Sequence, residues 1–198
     1  RRGNADRVIF TPIASAATRT AALLSGEVDF VLDPAVQDLP RLEKNPGLKV
    51  LSTGEDRVMM VALDLSRDAS PYVRDLSGKP MSVNPFKDRR VREAMSLAVN
   101  RAGLVRGVMR SRAIPTGTVV SHAVAGWTEA LGAPQPYDLT RAKALLKEAG
   151  YEKGFAFTFD TPNNRWVNDE GIVKALASMW AKIGLKVSVN AMPRAQYF

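Results

Sequence analysis

Between residues 155 and 189 the apolar side chains change period twice. Phe155, Phe157 and Phe159 alternate, the two-residue repeat of a strand that buries one face. From residue 169 to residue 183 the spacing becomes helical, and Gly184 stops it. Leu185, Val187 and Val189 then alternate again. A strand, a helix and a strand joined by so few residues form a βαβ unit, with parallel strands and a right-handed crossover. That excludes an all-helical or all-β chain and predicts an α/β class. Helices are expected at residues 16–24, 36–44, 88–99, 101–109 and 139–149. In the first, Ser15 or Thr18 is the cap, Ala17, Ala21 and Leu24 form the apolar stripe, and Gly26 is the terminator. Asp88 caps the third; Asp138 starts the last and Gly150 ends it. Asn168 or Asn164 is expected to cap the helix from residue 169, with Asp169 and Glu170 beside its positive end. Four more apolar runs, residues 8–11, 28–32, 48–51 and 58–65, read as strands. The last reads as buried on both faces, with Met59 and Met60 in the core. Residues 66–86 and 111–136 are rich in turn formers and read as connections.

Several chemistries are excluded. The 198 residues contain no Cys and one His, so disulfides, thiolate catalysis, iron–sulfur clusters and Cys-based zinc sites are ruled out. No apolar run approaches the roughly 18–20 residues of a membrane span. Neither GxxxxGK[ST] nor GxGxxG occurs. His122, the single histidine, has no activated nucleophile near it in sequence and reads as a loop residue rather than a general base. The carboxylate pairs Glu27/Asp29, Asp64/Asp68 and Asp169/Glu170 read as a turn, a solvated loop and a helix start. The net charge is +8, densest at Lys87, Arg89, Arg90 and Arg92 and continued by Arg101, Arg106, Arg110 and Arg112. These arginines flank apolar stripes (Val91, Ala94, Met95, Ala98, Val99, then Leu104, Val105, Val108), as expected for the outer face of a helix pair. A basic nucleic-acid or anionic-surface binder is the alternative. Interleaved aromatics for base stacking are missing beyond Phe86. The first residues, Arg1-Arg2-Gly3-Asn4, lack an initiator Met and an apolar signal core, so the chain reads as a mature product or an excised piece.

Four blocks carry a resemblance. The first is Arg19-x-x-Ala22-Leu23-Leu24-Ser25-Gly26-Glu27-Val28-Asp29. The second is Asn84-Pro85-Phe86-x-Asp88-x-Arg90-Val91-Arg92-x-Ala94, continuing Ser96-Leu97-Ala98-Val99-Asn100-Arg101. The third runs from Tyr137-Asp138 through Ala142-Lys143, Leu145-Leu146 and Glu148-Ala149-Gly150-Tyr151 to Gly154-Phe155. The fourth is Asn164-Arg165-Trp166-Val167-Asn168-Asp169, leading to Ile183-Gly184-Leu185-Lys186-Val187. In this order and spacing they resemble the extracytoplasmic solute-binding proteins of family 5, the peptide, dipeptide, glutathione and nickel binding components of ABC importers.

The resemblance implies a periplasmic-binding-protein-like type II fold that closes on its ligand about a hinge. It implies that residues 1–62 are part of a first lobe, and that residues 63–198 are a second lobe stopping before its return to the first. A periplasmic location, a peptide or similar small solute, permease subunits as partners and a monomeric state follow from it. So does contact with the membrane only through the transporter, without catalysis or nucleic-acid binding. No cofactor and no metal site are expected. The matching position in dipeptide binders makes Arg165 the receiver of a ligand carboxylate, with Trp166 as an apolar wall and Asn163 or Asn164 as hydrogen-bond donors. The alternative for this loop is that Arg165 pairs with Asp169 or Glu170 and Trp166 is core. His122 and Trp127, in the connection at 111–136, are the second candidate contacts.

Overall fold

A computed structural model describes residues 3–198. The chain divides into two compact units, the first ending at Leu51 and the second comprising Ser52–Phe198.

The first unit carries helix α1 (Ala16–Ser25) and the short α2 (Leu39–Glu43). Ser15 caps α1, its Oγ accepting from the Thr18 N–H at 3.3 Å, and Gly26 ends the helix in the left-handed conformation. Thr20 and Ala22 are the buried positions of α1, while Ala17, Ala21 and Leu24 face outward, opposite to the expected stripe. The burial follows the side chains that find partners. Thr20 Oγ1 donates to Asp38 Oδ2 at 2.9 Å. The Arg19 guanidinium donates to the carbonyls of Ile13, Ala14 and Asp33 at 2.8, 2.9 and 3.1 Å, holding together the extended segments on either side of α1. The second helix starts at Leu39 rather than Val36 because Pro40 lacks an amide hydrogen and fits only the first turn.

The second unit is built on a three-stranded sheet of order β1-β2-β3: β1 (Val73–Arg74), β2 (Ala156–Pro162) and β3 (Lys186–Met192). Strands β2 and β3 are parallel in a register running from Ala156↔Lys186 to Pro162↔Met192, as the βαβ reading required. Asn190 Nδ2 donates to Asp160 Oδ1 at 2.8 Å across one rung. The two-residue β1, antiparallel to β2 with Val73 opposite Phe157, lies inside the stretch read as a connection. Around the sheet stand a 3-10 turn (Pro85–Lys87) and helices α3 (Arg89–Leu97), α4 (Arg101–Gly107), α5 (Glu129–Gly132), α6 (Leu139–Glu148), α7 (Asp169–Ala181) and α8 (Arg194–Tyr197). The short α5 sits in the other stretch read as a connection.

Three of these helices start on side-chain caps that the sequence displays. Asp88, Asn100 and Asp138 accept backbone N–H groups of Arg90, Gly103 and Arg141, each at 2.8 Å. The apolar stripe of α3 (Val91, Ala94, Met95), continued by Ala98, packs on that of α6 (Ala142, Leu145, Leu146). Phe86 meets Phe155 and Phe157 edge-on, with ring centroids 5.8 and 5.3 Å apart. Trp180 of α7 lies against Phe157 and Phe159, and its Nε1–H donates to the Met95 carbonyl at 2.9 Å, in the last turn of α3. Gly154 and Gly184, just before β2 and β3, bring their backbones together so closely that a Cβ on Gly154 would overlap the Gly184 carbonyl.

Three arginines of the basic segment serve this packing. Arg90 pairs with Asp88 and donates to the Glu148 carbonyl at 2.8 Å. Arg92 donates to the carbonyls of Phe86 and Lys87 rather than to a carboxylate, and Arg101 to the carbonyl and hydroxyl of Ser96.

The four remaining runs, residues 8–11, 28–32, 48–51 and 58–65, form no strands. A run with strand composition becomes a strand only when its amides and carbonyls meet a partner ladder, and among the described residues none faces them. Phe10, Phe30 and Leu51 are 88%, 71% and 77% exposed, and Met59 and Met60 lie outside the core. Beyond them the chain is anchored by Asn84. Its buried amide donates to the carbonyls of Asp64 and Arg67 at 2.8 and 3.1 Å, and its Oδ1 accepts the Phe86 N–H.

Candidate functional site

The segment between β2 and α7, residues 163–168, stands where the parallel strands end. Side-chain contacts favour that place in α/β folds, because the strand ends splay and a helix N-terminus opens beside them. It is anchored at its start by the Asn163 N–H, which donates to the Met192 carbonyl at 3.0 Å. Asn164 Oδ1 accepts the Arg194 N–H of α8 at 2.8 Å. Neither Asn164 nor Asn168 caps α7. Asn168 adopts the left-handed conformation, φ 57°, and its Nδ2 donates instead to the Val108 carbonyl at 2.8 Å, just beyond α4. The acceptor in this segment is Asp169, the first residue of α7. Its carboxylate, in a residue only 4% exposed, accepts the backbone N–H groups of Arg165, Trp166 and Glu170 at 3.0, 3.1 and 2.9 Å.

This arrangement bears on the two readings of Arg165. Asp169 is occupied by amides, and Glu170 pairs with Lys174 at 2.6 Å. Among the described residues the Arg165 guanidinium has no carboxylate partner. It lies 5.7 Å from the centroid of the Trp166 ring, in cation–π geometry, and the residue is exposed. Trp166 is half-buried, with Tyr197 and Phe198 edge-on at 6.3 and 6.2 Å. The site therefore offers a free planar cation on an aromatic plate, beside the exposed Asn163 and the unengaged amide nitrogen of Asn164. Such a set suits a carboxylate with an apolar neighbour.

His122 and Trp127 meet each other, edge-on at 6.4 Å. Their loop is tied down by Ser121 Oγ, 2.6 Å from Asp56 Oδ1, and Trp127 covers Gly132 of α5. Among the described residues no hydrogen bond, ion pair or ring contact joins this pair to Arg165 or Trp166. Two open surface depressions of about 420 and 430 Å³ lie at the opposite end of the sheet, around Tyr151–Gly154 and around Lys143, Lys182 and Gly184, where β2 and β3 begin. No group of three or more His, Cys, Asp or Glu side chains capable of holding a metal ion occurs among the described residues, and no helix there is long and apolar enough to cross a membrane.

Residues 1–198 match the family model for bacterial extracellular solute-binding proteins, family 5 Middle. Over 191 residues the chain is 28% identical to the glutathione-binding protein GsiB of Escherichia coli (strain K12), covering 96% of this chain and 34% of that protein. GsiB of Shigella flexneri serotype 5b matches over the same length with the same identity. Among solved structures, the ABC transporter-associated periplasmic binding protein DppA of Helicobacter pylori, in complex with the peptide STSA, superposes with a TM-score of 0.68 at 26% identity. The match covers 93% of this chain and 32% of that one. The oligopeptide-binding protein AppA of Bacillus subtilis, in complex with a nonapeptide, shares the fold with a TM-score of 0.66 at 20% identity, covering 93% and 36%. The chain spans about a third of the length of the curated relatives it matches.

Proposed function

The chain belongs to the bacterial extracellular solute-binding proteins of family 5, and from that premise we propose that it is part of the substrate-binding component of an ABC importer. Its ligand is a peptide or a similar small solute, held in a cleft between two lobes and released to permease subunits without chemical change. The observation that carries the reading is the family match over all 198 residues. In this proposal residues 1–62 belong to one lobe and residues 63–198 to the other. The protein works as a monomer in the periplasm and meets the membrane only through its transporter. Arg165 receives a ligand carboxylate, Trp166 gives the adjoining apolar wall, and Asn163 and Asn164 donate hydrogen bonds. Trp127 and His122 form a second contact surface. The free guanidinium on its aromatic plate supports the first assignment.

The basic-surface alternative is weakened at three of its arginines. Arg90, Arg92 and Arg101 spend their donors on backbone carbonyls and on Asp88 rather than presenting them as a phosphate-tracking surface.

Calorimetric titration of the protein that carries this sequence, with dipeptides and with glutathione, tests the proposal. Arg165→Ala is expected to weaken a carboxylate-bearing ligand by about 1.5–3 kcal/mol, the worth of a hydrogen bond to a charged group. Unchanged affinity removes Arg165 from the site. Binding of DNA with a steep salt dependence, and of no peptide, overturns the importer reading.

A further inference from the structure

We propose that Asp169 is the positioning residue of the ligand-contact loop: its buried carboxylate sets the direction in which Arg165 presents its guanidinium. The inference rests on the reading of Arg165 as the carboxylate receiver and adds the group that makes it selective.

The argument starts from what a buried carboxylate needs. A residue 4% exposed cannot leave its carboxylate oxygens unsatisfied, and no lysine or arginine pairs with Asp169 among the described residues. Its acceptors are filled by backbone amides instead: the adjacent Arg165 and Trp166 on Oδ2, and Glu170 on Oδ1. The first two amides belong to the two residues of the cation–π pair. One carboxylate oxygen therefore fixes the backbone from which both the guanidinium and its aromatic plate project. Charge-assisted hydrogen bonds of this kind are about twice as strong as neutral ones. The surrounding anchors brace the loop without touching those two amides. Asn163 N–H holds its start to β3, and the left-handed Asn168 ties its end to the Val108 carbonyl. Without the Asp169 carboxylate the loop would stay attached at both ends, while the Arg165–Trp166 peptide would lose its orientation. A wandering guanidinium still attracts anions, but it no longer forms the two parallel hydrogen bonds that separate a carboxylate from a neutral amide.

Selectivity is therefore the readout, since loss of folding alone does not change it. For wild type, Arg165→Ala, Asp169→Ala, Asp169→Asn and the Arg165→Ala/Asp169→Ala double variant, the affinity for a dipeptide is compared with that for its C-terminal amide. Wild type is expected to prefer the free carboxylate by about tenfold or more. Asp169→Ala should erase most of that preference, and adding Arg165→Ala should change it little further. Asp169→Asn, which keeps one acceptor oxygen, should fall between. Amide hydrogen exchange is followed in parallel. In Asp169→Ala the Arg165 and Trp166 amides should exchange faster while those of Phe157 and Leu145 stay protected. A carboxylate preference that survives Asp169→Ala overturns the proposal, as does unchanged protection of the two amides. If wild type shows no preference while the exchange result holds, the ligand assignment of Arg165 fails and the loop geometry stands.

Discussion

Gly154→Ala should destabilise the second unit far more than Gly150→Ala, and the difference measures how rigid the join between β2 and β3 is. Both glycines are left-handed, with φ of 81° and 85°. Each alanine therefore carries the same backbone penalty, about 1–2 kcal/mol, offset by about 0.4–1 kcal/mol from a stiffer unfolded chain. Their surroundings differ. A Cβ on Gly150 meets nothing within 4 Å. On Gly154 it would lie 2.5 Å from the carbonyl carbon of Gly184 and overlap its oxygen. That neighbour is backbone, so no rotamer change relieves it, and either strand start must shift against the register that begins at Ala156↔Lys186. Overpacking of this kind costs about 1–3 kcal/mol more. The expected losses are about 0.5–1 kcal/mol for Gly150→Ala and about 2–4 kcal/mol for Gly154→Ala. All three tryptophans, Trp127, Trp166 and Trp180, lie in this unit, so intrinsic fluorescence during urea unfolding reports it directly. With a slope of about 1–3 kcal/mol per molar, the Gly154 variant should unfold at least about 0.7 M earlier than wild type. Equal midpoints for the two variants would refute the reasoning, by showing that the carbonyl gives way freely.

Two further outcomes follow from single contacts. Trp180→Phe removes the donor to the Met95 carbonyl, which belongs to a residue 3% exposed at the end of α3. The loss should be about 2–4 kcal/mol in chemical unfolding, and one under about 1 kcal/mol would mean that another donor takes over. Asp64 is held at a pKa of about 2, chiefly by its hydrogen bond from the Arg67 guanidinium and then by Ser66. A carboxyl lowered below its unfolded value of about 3.9 stabilises the fold above that value and loses the contribution as pH falls through about 2. Carbon-detected NMR titration should place its midpoint there, and Arg67→Ala should return it toward the ordinary range. A midpoint near 4 in wild type would dismiss the contact.

Helix starts were legible because a cap is local: Ser15, Asp88 and Asp138 act on amides two or three residues away, whatever the tertiary structure. The βαβ unit was legible for the same reason, its two strands and helix being consecutive. The runs at residues 8–11 and 58–65 were misread because strand formation depends on a partner that composition does not reveal. Val73–Arg74 was missed from the other side, two unremarkable residues made into a strand by β2. In the candidate loop, the motif singles out Arg165 and Trp166 as contacts, whose role remains a proposal. Asp169 was read as a charge near the helix dipole, whereas the structure makes it the acceptor for the loop that precedes it. The Asn168-Asp169 pair at the start of an apolar helix offers a signal for a side-chain turn, but not which of the two accepts the loop amides.

The indole bond from Trp180 to Met95 also bears on the order in which the second unit assembles. It joins residues 85 apart in sequence, whereas the Asn190–Asp160 contact between the parallel strands joins residues 30 apart. Closing the longer loop costs about 0.9 kcal/mol more in chain entropy. Loop-closure entropy therefore favours contacts within the β2–α7–β3 segment over the docking of the α3–α6 layer on the indole.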